Sequence, residues 1–261
     1  MKLGISWNCY RGLDDNAQIA LMKENGFEAT FFGGANPRLD ELVALVKKEG
    51  ILCENLHAPF SQINAIWEKE QSGDQMLFEL ISNIDKCAKH EIPVIVVHLS
   101  SGINPPRIND VGYERLLILM EHAKRQGVTV AFENLRRLDN LAFAMEQFPE
   151  AGFCWDTGHE TCFTDGIQFM PLFGKRLCSL HIHDNKQEFN GDLHMIPYDG
   201  TMDFDYIAEQ IAKTEYSGSV MLELLKGNSN AYDNFTPEEY YKHAAEAARK
   251  LEKAIASKRI V

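Results

Sequence analysis

Residues 179–185 read Ser-Leu-His-Ile-His-Asp-Asn, a short apolar run that ends in two histidines and a carboxylate. Runs of this length and apolarity are typical of parallel β-strands that are covered on their outer face. Histidine and carboxylate side chains are also the usual protein ligands of zinc, manganese and related divalent ions. The stretch therefore predicts a buried strand with a metal site at its end.

The same arrangement recurs along the chain, where ligand-type side chains stand at or beside the ends of six apolar runs. The nine residues concerned are His57, His98, Glu133, Asp156, His159, His181, Asp192, His194 and Glu223. A lone buried histidine is more often a hydrogen-bonded core residue than a ligand. A glutamate inside an apolar strand, such as Glu133 or Glu223, buries a charge unless it is paired or bound to a cation. The nine residues together favour a metal site over a purely structural role.

Eight apolar runs alternate with helical patterns from end to end. The predicted strands span residues 3–7, 27–32, 52–57, 94–99, 129–134, 152–156, 179–184 and 219–224. Between them lie amphipathic patterns such as Leu39, Leu42, Val43 and Val46, which predict helices with one buried stripe. An open doubly wound sheet gathers its site from two or three strands. Here ligand types follow strands three to eight, so we predict an α/β fold with a single (β/α)8 TIM barrel.

Length and composition fit this architecture. The 261 residues suit one TIM-barrel domain over residues 1–261, with the metal site at the C-terminal ends of the strands. The net charge of -12 disfavours nonspecific binding to nucleic acid. Six cysteines without a C-x-x-C pair indicate a reducing compartment. With no signal peptide and no apolar run long enough to span a bilayer, we expect a cytoplasmic protein that has no membrane partner.

Five motifs together resemble the xylose-isomerase-like TIM-barrel superfamily. They are H-A-P at 57–59, E-N at 133–134, D-T-G-H at 156–159, H-I-H-D-N at 181–185 and D-L-H-M-I-P-Y-D-G-T-M-D-F at 192–204. Each motif alone is weak, but their order and spacing are specific. The superfamily includes sugar-phosphate isomerases and epimerases, and DNA-repair nucleases of the endonuclease IV type.

The resemblance implies one of two metal patterns. Sugar epimerases of this group hold one divalent ion, and their ligands match Glu133, Asp156, His181 and Glu223. The nuclease-type members hold three zinc ions with nine ligands, and all nine positions have a match here. The five further positions are His57, His98, His159, Asp192 and His194. His183 is an additional candidate for a metal or substrate contact. The metal count stays open between one and three per chain, with zinc or manganese preferred over cobalt or magnesium.

The chain departs from the nuclease pattern at several motifs. Leu99-Ser100 follows His98 where the nuclease has Pro-Gly, and Leu135 follows Glu133-Asn134 where it has Thr. Leu193 replaces an arginine between Asp192 and His194, and Tyr198-Asp199-Gly200 stands for Gly-Glu-Gly. With the acidic net charge, these departures favour a small sugar or sugar phosphate as the partner over nucleic acid.

The resemblance thus implies a metal-dependent sugar isomerase or epimerase that works through a cis-enediolate, with Glu133 and Glu223 as acid and base. The alternatives are a trinuclear-zinc phosphodiesterase of the AP-endonuclease kind and a non-catalytic sugar-binding barrel. The expected pocket walls are Trp7, Phe32, Phe60 and Trp67. Candidates for binding a phosphate are Arg107, Arg136, Arg137, Lys186 and Lys226. By analogy, a homo-oligomer is also expected.

Overall fold

The computed structural model describes residues 1–259, and it contains eight parallel strands. They are β1 (Leu3–Ile5), β2 (Ala29–Gly33), β3 (Leu52–His57), β4 (Val94–Val97), β5 (Thr129–Glu133), β6 (Gly152–Asp156), β7 (Leu177–His181) and β8 (Val220–Leu222). Each predicted strand is present, and the bounds differ by a few residues at the ends. Residues 260 and 261, which the predicted domain includes, lie outside the described residues.

The strands form one ring. Hydrogen-bonded neighbours run in the order β7-β6-β5-β4-β3-β2-β1-β8. The two end strands meet just beyond β7, where the Ile182 amide donates to Met221 at 2.9 Å and the Glu223 amide donates to Ile182 at 2.9 Å. This bridge closes the ring, so the predicted (β/α)8 barrel is confirmed and the open sheet is wrong.

Helices connect the strands on the outside of the barrel. They are α1 (Asp15–Glu24), α2 (Leu39–Lys48), α3 (Gln71–His90), α4 (Asp110–Gln126), α5 (Leu138–Gln147), α6 (Thr157–Cys162), α7 (Met170–Phe173), α8 (Phe204–Ala212) and α9 (Pro237–Arg259). In α2 the predicted stripe of Leu39, Leu42, Val43 and Val46 is buried. None of the helices within residues 1–259 is long and apolar enough to cross a membrane.

Strand alternation decides which side chains reach the inside of the barrel. Residues two apart on a strand face the same side of the sheet. Val94, Val96, Ala131 and Cys154 form a small apolar cluster of their own, apart from the large core between strands and helices. The next residues on the same face are His98, Glu133 and Asp156. The barrel interior therefore has an apolar layer with ionisable side chains directly above it, at the C-terminal ends of the strands.

Candidate active site

A cavity of about 480 Å³ opens at the C-terminal ends of the strands. Its walls come from β2, β3 and β5 and from the loops that follow the strands. Among the predicted ligands, the cavity is lined by His57, His98, Glu133, His159, Asp192, His194 and Glu223. This is the end of a (β/α)8 barrel at which the substrate sites of such enzymes lie.

Four predicted ligands converge at the floor of this cavity, which two of them, Glu133 and Glu223, also line. Glu133, Asp156, His181 and Glu223 each offer one ligand atom, and these four atoms lie within 4.8 Å of one another. The first three are the last residues of the consecutive strands β5, β6 and β7, and the fourth directly follows β8. Because the ring brings these strand ends side by side, residues far apart in the sequence form one compact donor set.

Glu133 is the centre of the cluster. Its Oε1 lies 3.3 Å from Nδ1 of both His159 and His181. Its Oε2 lies 2.9 Å from Nε2 of His98 and 3.3 Å from Nε2 of His57. The side chain has no exposed surface. One carboxylate therefore connects the four-residue donor set to a second group made of His57, His98 and Glu133, whose ligand atoms also lie within 4.8 Å.

Asp192 organises the opposite wall. Its Oδ2 lies 3.2 Å from Nε2 of His194 and 3.5 Å from Nε2 of His159. The imidazole of His194 stacks on His183 with ring centroids 4.2 Å apart, and His183 Nε2 lies 3.1 Å from Oδ1 of Asp156. All ten predicted ligand or substrate-binding residues therefore lie in one continuous network.

The network holds its carboxylates ionised. Burial raises the pKa of Glu133, but the interactions with His98 and His181 outweigh it and leave the pKa well below its usual range. For His194, burial lowers the pKa, but the carboxylates of Asp192 and Glu223 outweigh this effect and raise the pKa to about 9. Buried carboxylates thus require positive charge beside them, from protonated imidazoles or from a divalent cation that displaces those protons.

The donor set fits a divalent cation. Asp156 Oδ2 is fully buried, and no residue within 1–259 donates a hydrogen bond to it. A buried carboxylate oxygen that accepts no hydrogen bond is costly, and a bound cation removes that cost. A mixture of imidazole and carboxylate donors suits zinc or manganese. Glu133, Asp156, His181 and Glu223 are the residues that would hold such an ion.

Asn134 fixes the position of Asp156. Its side-chain amide donates to the Asp156 carbonyl at 2.8 Å, and its side-chain oxygen accepts from the Asp156 amide at 2.8 Å. These paired bonds tie the ends of β5 and β6 together. Buried groups that orient ligands in this way contribute to metal affinity.

The four predicted aromatic walls have different positions. Phe60 lines the cavity. Trp7 packs on the buried Phe32, with ring centroids 5.2 Å apart, and neither belongs to the cavity lining. Trp67 is buried outside the cavity and donates from its indole nitrogen to the Leu99 carbonyl at 2.7 Å.

The sequence interpretation missed Phe31, which lines the cavity and stacks on His181 with centroids 4.8 Å apart. Adjacent strand residues face opposite sides, so Phe31 and Phe32 cannot both point into the barrel. The interpretation also gave no role to Cys154, which lies beneath Glu133 and His181 as part of one ligand-type group. Its position two residues before Asp156 on β6 was the available indication.

Gly158 is required beside the site because a Cβ at this position would overlap the ring of His183. We expect Gly158→Ala to lower the free energy of unfolding by about 1–3 kcal/mol through this overlap. Urea denaturation measures the change. The matched control is Gly227→Ala, because a Cβ there meets nothing within 4 Å among the described residues. Equal stability of Gly158→Ala and the control would contradict the expectation.

A family model described as a xylose isomerase-like TIM barrel matches residues 19–251. The chain belongs to this family. The resemblance that the motifs predicted is thereby confirmed. A relative in the family is the uncharacterized protein y4fM of Sinorhizobium fredii, which is 30% identical over 215 residues. That match covers 74% of this chain and 64% of y4fM, so the chain spans less than two thirds of the relative's length.

Solved structures share the barrel of this family. A D-psicose 3-epimerase from Clostridium cellulolyticum H10, solved with D-tagatose, superposes with a TM-score of 0.79 at 16% identity, over 98% of this chain and 99% of the other. The IOLI protein, solved with a zinc atom, gives a TM-score of 0.73 at 16% identity, again over 98% and 99%. At this level of identity the likeness shows the fold alone.

Proposed function

We propose that this protein is a divalent-metal-dependent sugar epimerase or isomerase. The observation that carries the proposal is the convergence of Glu133, Asp156, His181 and Glu223 within 4.8 Å at the mouth of the barrel. Glu133 ends β5 and Glu223 directly follows β8, and these strands are three apart around the ring. They therefore approach the cavity from different sides.

The chemistry divides between the ion and the two glutamates. A divalent ion in this donor set, when bound, polarises a carbonyl oxygen of an open-chain sugar and makes the neighbouring C–H more acidic. One glutamate removes that proton, and the other returns a proton to the opposite face or to the neighbouring carbon. Return to the opposite face gives an epimer. Return to the former carbonyl carbon, with the proton of the adjacent hydroxyl passing to the former carbonyl oxygen, interconverts aldose and ketose.

The two glutamates have unequal surroundings. Both oxygens of Glu133 lie beside imidazoles, and its side chain has no exposed surface. The Glu223 side chain keeps 15% of its surface exposed, and its Oε2 lies 3.5 Å from His181 Nδ1. Glu223 therefore has more freedom to reach a substrate carbon, while Glu133 is held more rigidly. Asp156 and His181 act as ligands.

The family and its solved structures support this class of reaction. One similar structure is a D-psicose 3-epimerase, and another, the IOLI protein, holds a zinc atom. Both superpose over almost the whole chain. We transfer the reaction class, proton transfer beside a sugar carbonyl, and leave the particular sugar to experiment.

Solvent exchange tests this proposal directly. Metal-loaded protein is incubated in D2O with a panel of ketoses and ketose phosphates, and NMR follows deuterium entry at the carbon beside the carbonyl. We expect deuterium incorporation with formation of an epimer or aldose. Protein that retains its ion but gives neither exchange nor product on any sugar of the panel would contradict the proposal.

A second candidate is a trinuclear phosphodiesterase. The observation that favours it is the second donor group of His57, His98 and Glu133, beside which Asp192 lies between His159 and His194. Here three ions would clamp a phosphodiester. Hydrolysis of bis(p-nitrophenyl) phosphate or of abasic-site DNA, by protein that leaves sugars unchanged, would favour this candidate.

A further inference from the structure

Arg136 lies in the loop between β5 and α5, three residues after Glu133. Of the lysines and arginines in residues 1–259, it is the one that lines the cavity. Its guanidinium carbon sits 3.6 Å from the ring centroid of Phe163, and Phe163 stacks in turn on His159 at 4.5 Å. Nη2 donates to the side-chain oxygen of Asn190 at 2.7 Å. The stack and this bond hold the plane of the guanidinium in place.

The charge of Arg136 has no carboxylate partner within 4.0 Å among the described residues. Its Nε is buried and has no hydrogen-bond acceptor in residues 1–259. The next residue differs, because Arg137 pairs with Asp139 through its Nε at 2.8 Å and through Nη2. Burial accordingly lowers the pKa of Arg136, whereas the bonds to Asp139 raise that of Arg137.

The position of the Arg136 guanidinium distinguishes it, because it lines the cavity and its buried Nε has no acceptor among the described residues. Acidic residues number 38 against 26 lysines and arginines, so carboxylate partners are abundant. A partly buried guanidinium that lacks an anion carries an uncompensated cost, and a carboxylate or a phosphate can accept from two of its N–H groups at once. Glu133, Glu223 and Oδ2 of Asp192 lie beside imidazoles, and Asp192 acts on the Arg136 charge only from beyond 4.0 Å.

We infer that Arg136 binds the anionic group of the substrate, so that the cavity takes a sugar bearing a phosphate or a carboxylate. This inference rests on the proposed function, since it names the substrate class of that same site. A sugar whose reacting carbons lie at Glu133 and Glu223 would extend its charged end along the wall towards Arg136. Arg136 is then a specificity-determining residue and takes no part in proton transfer.

Binding of inorganic phosphate tests the site without turnover. Calorimetric titration compares the wild type with Arg136→Gln, Arg136→Lys and the matched control Arg137→Gln, each with and without bound metal. Loss of a charged hydrogen bond predicts about ten- to hundredfold weaker binding in Arg136→Gln. Arg136→Lys keeps the charge but loses the planar guanidinium, so its phosphate affinity should lie between those of the wild type and Arg136→Gln. The phosphate affinity of Arg137→Gln should match that of the wild type. Equal affinity of the wild type and both Arg136 variants would overturn the inference.

Kinetics identify the source of the anion. The ratio of kcat/KM for a ketose phosphate to that for the unmodified ketose should fall at least about tenfold in Arg136→Gln, mainly through KM. The corresponding sugar acid, run in parallel, shows whether the wild type prefers carboxylate. An unchanged ratio with active enzyme overturns the anion site and leaves the epimerase intact. Phosphate binding that depends on Arg136, without turnover of any sugar, would keep the anion site and overturn the epimerase.

Discussion

Glu223→Gln is expected to reduce kcat by about 10²- to 10⁴-fold on the true substrate while the protein stays folded. The amide has nearly the shape of the carboxylate but cannot accept a proton from carbon. Glu223 keeps part of its surface in the cavity, so its replacement disturbs packing little. Steady-state kinetics measure the loss, and circular dichroism with thermal melting checks the fold. Near-normal turnover would show that the scheme with two carboxylates is wrong.

Glu133→Gln should be at least as damaging, for an additional reason. Its carboxylate lies beside four imidazoles, and a neutral amide leaves those buried groups without their anion. We therefore expect metal content to fall along with kcat, whereas Glu223→Gln retains more of the metal. Elemental analysis of the two purified variants separates loss of the base from loss of the ion.

The matched control for both variants is Glu54→Gln. Glu54 is also a partly buried glutamate on a barrel strand, but it lies at the opposite end, where it accepts bonds from Ser219 and Tyr216. The same change there alters local hydrogen bonding and leaves the cavity untouched. We expect kcat to match the wild type. A comparable loss in Glu54→Gln would mean that the effects at Glu133 and Glu223 come from general destabilisation.

The sequence predicts the strand ends well because three patterns agree there. An apolar run, strand alternation and a terminal ligand residue occur together at Glu133, Asp156 and His181. In a closed ring, side chains at these strand ends lie close together. Eight apolar runs, six of them with ligand residues at or beside their ends, predicted the barrel. The strand signal is local, and closure was inferred from the ligand residues that follow six of the eight strands.

The sequence did not predict which loop residues contact one another. Arg136 and Phe163 stack although they follow different strands, and Arg136 was one of five basic candidates with nothing to distinguish it. A register shift between Thr30 and Phe31, where β2 pairs with β3, adds to the difficulty of choosing the inward phenylalanine of that strand. Trp67 looked like a pocket wall because its loop lies near the mouth, yet its ring packs against Gly112.

Removal of bound metal by a chelator is expected to abolish turnover and to lower Tm. A ligand present at about 100 times its Kd stabilises the folded state by about 2.7 kcal/mol, and each kcal/mol shifts Tm by about 2–4 °C in a domain of this size. Chelation should therefore lower Tm by roughly 5–10 °C. Differential scanning calorimetry before chelation, after it and after metal is restored measures the effect. An unchanged Tm with full activity would contradict metal dependence.

The number of ions restored per chain decides between the two candidate functions. In the epimerase, the ion depends on Asp156, so Asp156→Asn should remove about one equivalent, and His57→Asn should leave the count unchanged. In the trinuclear site, His57 is itself a ligand beside His98 and Glu133, so His57→Asn should lower the count from about three towards two. Elemental mass spectrometry on the wild type and both variants therefore gives a different pattern for each function. A third result is a His57→Asn variant that loses one ion and still epimerises sugars. That result would mean that the second donor group only binds an ion, and that the reaction depends on Glu133 and Glu223.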